Sequence, residues 1–165
     1  DGGEGHFVAV LKRLSPNNEY PQPYSAHASS MQDMAEDLYY QLFQIGLNHT
    51  IEQFGNYFLL LPKTLPYLKG LGVIRAGVLL GEAKTNRIEP AHAAFMSSRP
   101  EELNCVVELS HDSKQIFDFL RGEEIEMQGS VKGFAGVAVD GVVTGFGKCS
   151  NGRLKNHYPK GLRNN

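Results

Sequence analysis

The chain has 165 residues, of which 41% are hydrophobic and 21% charged, the range of one ordinary globular domain or two small ones. Its formal charge is -2, and no apolar run approaches the roughly 20 residues that a membrane-spanning helix needs. Two cysteines, Cys105 and Cys149, are too few for a disulfide framework and are read as a reduced pair in a cytoplasmic protein.

The opening "DGGEGHF" has neither an initiator methionine nor a signal-peptide pattern, so the chain is expected to be a piece of a longer protein. Residues 5–14, "GHFVAVLKRL", read as a strand without a neighbouring partner. Pro16, Pro21 and Pro23 then mark a linker, because proline suits neither helix interior nor central strand. A helix follows, with Ser30 as its expected cap and Gly46 beyond its end. Met31, Met34, Leu38, Leu42 and Ile45 recur at helical spacing and are expected to face the core.

Residues 49–62, "HTIEQFGNYFLLLP", read as a hairpin broken at Gly55-Asn56. Residues 65–72 are expected to form a turn, 73–90 a strand, a charged turn and a short strand, and 91–96 a short helix entered from Pro90. After a boundary near 97–103 come the strand "NCVVEL" and a helix, "DSKQIFDFLR", capped by Asp112 and stopped by Gly122. Asp140-Gly141 and Asn151-Gly152 are tight-turn pairs, so 131–156 reads as a three-stranded meander. Its glycines, Gly133, Gly136, Gly145 and Gly147, suit the bent strands of a small barrel.

Catalytic chemistry is hard to find. The six histidines share no metal-ligand spacing with each other or with a cysteine, so no metal site is expected. "DGGEG" precedes a strand, whereas a phosphate loop joins a strand to a helix. Cys105 falls in an apolar strand, and Cys149 follows Lys148 with no histidine beside it, leaving no expected catalytic residue.

Charge is more informative. The last 25 residues hold five of the 16 basic residues and none of the 18 acids, so the remainder has 11 basic against 18 acidic residues. Lys148, Arg153, Lys155, Lys160 and Arg163 can neutralise phosphates, while Asn156, His157 and Tyr158 can reach a sugar or a base. Five such contacts to a single strand predict a log K against log salt slope of about -3.5. Tyr158 is equally suited to plugging a core with its hydroxyl at the surface. Arg75, Lys84 and Arg87 form a second candidate patch, diluted by Glu82 and Glu89.

"GKCSNGRLKNHYPKGLR" at 147–163 resembles the C-terminal signature of RsmF-like proteins, bacterial members of the Sun/Nop family of RNA cytosine-C5 methyltransferases. "RAGVLLGEAKTNRIEPAHA" at 75–93 resembles a second signature of that family, with Ala76 in place of a proline and Ile88 in place of an aromatic. "GEGHFVAVLKR" at 3–13 resembles the last strand of the family's methyltransferase domain. The resemblance implies an α+β chain: a terminal strand over 1–14, a linker over 15–29, a small mixed α/β domain over 30–98 and a PUA-like β-barrel with a helix over 99–165. It also implies an upstream catalytic domain that uses S-adenosylmethionine. This chain lacks that domain's loops and its paired cysteines, since Cys105 follows Asn104 and Cys149 follows Lys148.

The expected role is to position ribosomal RNA, of the small subunit, for that domain, with no membrane partner. A second reading keeps Arg87, Glu89 and His92 as a buried interdomain network in a bracing or protein-docking module. A third makes Cys149 the nucleophile of a free-standing enzyme.

Overall fold

The computed structural model describes residues 25–27, 29–65, 72–127, 129 and 131–164. The strand expected over 1–14, most of the linker and most of the turn at 65–72 lie outside the described residues. Helix α1 (Gln32–Leu42) buries Ala35, Leu38, Tyr39 and Leu42. The cap expected at Ser30 is not formed: no side chain caps α1, and the Ser29 Oγ accepts from the Met31 backbone N–H just before it at 3.1 Å. Met34 and Ile45 are exposed, so the buried stripe is narrower than the apolar spacing suggests.

Strands β1 (His49–Phe54), β2 (Tyr57–Pro62), β3 (Val78–Lys84) and β4 (Arg87–Pro90) form one antiparallel sheet in chain order. Gly55 takes the positive φ of the first turn, which glycine adopts without a Cβ clash. The strand expected from residue 73 begins only at Val78. Gly77 explains the delay: its φ is +60° and a Cβ there would lie 2.1 Å from the Leu60 carbonyl oxygen. Helix α2 (His92–Met96) follows β4 directly and buries Ala94 and Phe95.

The second sheet has the order β5-β7-β8-β9-β6 and curls as a half-barrel. Its members are β5 (Val106–Leu109), β6 (Ile125–Glu126), β7 (Gly133–Val139), β8 (Val142–Ser150) and β9 (Arg153–Asn156). The meander β7-β8-β9 turns at Asp140-Gly141 and Asn151-Gly152, and all four residues have positive φ, as tight hairpins of the twisted kind require. Strand β5 joins β7 in parallel. Helix α3 (Lys114–Arg121) makes the crossover that a parallel pair needs. Ser113 caps α3 by accepting from the Ile116 N–H, taking the role expected of Asp112, and Gly122 ends it at φ 92°.

One core lies between the sheets. It joins Leu38, Leu42, Phe58, Leu80 and Phe95 to Val143 and Phe146 of β8. Phe95 and Phe146 stack with centroids 4.4 Å apart and planes 9° from parallel. The other core lies under α3, where Ile116 and Phe119 meet Val137, Cys149 and Leu154. Strand alternation divides the second sheet between these two cores, so Phe146 faces the first unit while Cys149 faces α3.

Candidate nucleic-acid interface

A groove of about 560 Å³ opens where α1 and β4 approach the second sheet. From α1 it is lined by Met34, Asp37, Leu38 and Gln41, at the i, i+3, i+4, i+7 spacing of one helical face. Arg87 through Pro90 of β4 form its floor, and the opposite wall is Phe134, Lys148, Lys155 and His157.

That opposite wall is fixed by sheet register. Phe134 on β7 pairs with Lys148 on β8, which pairs with Lys155 on β9, so three side chains form one rung across three strands. The Lys148 ammonium lies 5.5 Å from the Phe134 ring centroid, within cation–π range. His157 extends the same face, its N–H bonding the Phe146 carbonyl at 3.1 Å. Its ring lies 5.2 Å from Phe146 and 6.1 Å from Phe134. Burial, reinforced by Lys155 and Lys148 and opposed by Glu89, lowers the His157 pKa below the ordinary imidazole value. At neutral pH it therefore presents an uncharged ring with one N–H donor.

The groove is cationic on one side and mixed on the other. Arg87 donates to Glu89 at 2.6 Å, and this bond holds the Glu89 carboxyl below its usual pKa. Asp37 is exposed and has no hydrogen bond or ion pair among the described residues. The ammonium groups of Lys148 and Lys155 are likewise without an acidic partner among the described residues.

The candidate residues of the acid-free segment divide by strand parity. Lys148, Lys155 and His157 line the groove. Asn156, between two of them, faces the other way: its amide donates to the carbonyls of Phe119 at 2.7 Å and Glu123 at 3.0 Å and accepts from the Tyr158 N–H. Tyr158 is half-buried against Phe119 and His92, which fits the core-plug reading rather than a stacking platform. The Arg163 guanidinium donates twice to the Tyr158 carbonyl and lies over Gly122, where a Cβ would come within 2.5 Å of it. Arg153 faces Glu124 and Glu126 at 3.8 Å each, and Lys160 is exposed on a short turn outside the groove.

The second patch also divides. Arg87 and Glu89 belong to the groove, so residues from two distant segments share one site. Lys84 pairs with Glu82 at 2.8 Å, and Arg75 lies on a different, more apolar surface with Phe54, Tyr57, Ile74 and Met96. The buried network expected of Arg87, Glu89 and His92 is not formed: the side chains of Arg87 and Glu89 are 69% and 44% exposed. His92 is separate from them, packed 5.8 Å from Tyr158, and its buried Nε2 has no hydrogen-bond partner among the described residues.

Sequence reasoning overlooked Phe134, Asp37 and Gln41. The meander's turn pairs fix which residues of β7, β8 and β9 lie opposite one another, so Phe134 could have been found by counting back from Lys148. No sequence signal brings α1 to that rung.

Two other chemistries find no support. The Cys149 thiol is pushed up to about 11, first by burial and then by Cys105 beside it, which makes it a poor nucleophile at neutral pH. No cluster of three or more metal-ligating side chains occurs among the described residues, and no helix among them is long and apolar enough to cross a membrane.

Comparison with protein families gives two matches in chain order. Residues 35–97 match the RsmF rRNA methyltransferase first C-terminal domain, and residues 106–164 match the methyltransferase RsmF PUA domain. No curated protein sequence matches the chain.

Proposed function

We propose that this chain, which belongs to the RsmF-like methyltransferases and carries their first C-terminal domain and PUA domain, holds ribosomal RNA in the groove between the two sheets. The observation that carries this reading is the Phe134–Lys148–Lys155 rung, which sets an aromatic face beside two cations that have no acidic partner among the described residues. Such a surface suits a single strand, since lysines neutralise phosphates and every base has a face to stack. The RNA so held is of the small subunit, and it is presented to a methyltransferase domain in cis for S-adenosylmethionine-dependent methylation at cytosine C5, in the cytoplasm.

The bracing reading keeps one observation in its favour. Phe54, Tyr57, Ile74 and Met96 are exposed around a second groove of about 710 Å³, an apolar surface suited to the catalytic domain itself.

The two roles separate kinetically. In the complete methyltransferase, Lys148→Ala with Lys155→Ala is expected to raise KM for small-subunit RNA severalfold while leaving kcat nearly unchanged, as loss of uniform substrate binding does. An unchanged KM would remove the groove from the RNA path.

A further inference from the structure

The groove holds a feature that phosphate binding does not explain. Asp37 is a carboxylate without a partner among the described residues, set in a site whose opposite wall is cationic. A carboxylate there repels phosphate, but it is an acceptor for N–H groups. Gln41 stands one turn further along α1 on the same face, and its amide makes no side-chain hydrogen bond among the described residues. An acceptor pair and a donor are thus offered in a row from the α1 wall, opposite an aromatic face.

We propose that the groove reads one unpaired guanosine. This inference rests on the reading of the groove as an RNA site. The base lies against Phe134 and His157, its backbone phosphate meets Lys148 and Lys155, and Asp37 accepts the guanine N1–H and N2–H while Gln41 donates to O6. Guanine alone among the four bases places two adjacent N–H donors beside an acceptor on its pairing edge. Adenine and cytosine each offer one amino group next to a ring nitrogen acceptor, and uracil offers one N–H between two carbonyls. Each of those sets a lone pair against an oxygen of Asp37. The groove volume of about 560 Å³ is within the range of sites that take a ligand of nucleotide size.

The test is binding of the full chain to fluorescent uridine heptamers whose central residue is guanosine, inosine, adenosine or uridine. The guanosine oligomer is expected to bind about tenfold more tightly than the adenosine and uridine oligomers, the scale of one bidentate base contact. Inosine, which lacks the N2 amine, is expected to lose most of that advantage, and Asp37→Asn is expected to erase the preference. Lys148→Ala with Lys155→Ala should weaken all four oligomers alike.

Equal binding of the four, still weakened by the lysine changes, would overturn base reading and leave the RNA groove standing. A guanosine preference that survives Asp37→Asn would likewise overturn the role given to Asp37. Failure of all four oligomers to bind, or binding indifferent to the lysines, would overturn both the groove and this inference.

Discussion

Asn156 shows how one residue step changes a side chain's role. Lys155 and His157 line the groove, while Asn156 between them spends its amide on two carbonyls and the Tyr158 N–H. Removing it leaves three backbone groups, two of them part-buried, short of partners at about 1 kcal/mol for each bond. Asn156→Ala is expected to destabilise the chain by about 2–3 kcal/mol, read as a lower urea midpoint at constant m-value. His92 makes a second residue-scale prediction. Burial lowers its pKa, against the opposing pull of the Thr144 backbone, so the unfolded chain takes up the proton first. Stability is therefore full above the ordinary imidazole value of about 6.5, declines as pH falls through it, and levels off below the folded value. His92→Phe should flatten the part of the pH 7 to 5 decline in urea midpoint that is due to His92, leaving the share due to His157. An unchanged decline would contradict the assignment.

At the scale of elements, the hairpins were the most legible part of the sequence. Asp140-Gly141 and Asn151-Gly152 specify local geometry by themselves, and both turns form where those pairs stand. Helix α3 was legible for a similar reason, since its apolar spacing and Gly122 stop are local. The parallel pairing of β5 with β7 was not, because its partners lie across a helix and a loop and no short pattern encodes such a meeting. Methionine spacing on α1 misled for a related reason: apolar periodicity marks a face, not what covers it, and Met34 faces the groove. Gly147 supplies the element-scale prediction. A Cβ there would lie 2.2 Å from Leu154 Cδ2 and 2.6 Å from the Lys155 carbonyl oxygen. Gly147→Ala should push β9 from β8 at a cost of about 1–3 kcal/mol, measured by urea unfolding, and weaken RNA binding in the folded fraction by displacing Lys155.

For the whole molecule, the acid-free C-terminal segment supplies only part of the groove proposed to hold RNA. Sequence charge pointed to strands that line the groove, since Lys148 and Lys155 are in that segment. It could not show that Arg153 faces two glutamates or that Arg163 clamps the chain end over Gly122. Nor could it show that α1 and β4, from the acidic remainder of the chain, close the other side of the groove. The shared core around Phe95 and Phe146 fixes that juxtaposition, so the site exists only when both sheets are packed together.

The most direct measurement is a salt titration of binding to single-stranded small-subunit RNA, comparing the unaltered chain with two double variants. Lys148→Ala with Lys155→Ala is predicted to make the log K against log salt slope shallower by about 1.4, at about 0.7 for each phosphate that the variant no longer neutralises. Arg153→Ala with Lys160→Ala, at cations outside the groove, is predicted to leave the slope nearly unchanged. Equal reductions in both variants would mean that RNA is held by diffuse basic charge, and a reduction confined to the second would place it on another surface, either of which contradicts the account.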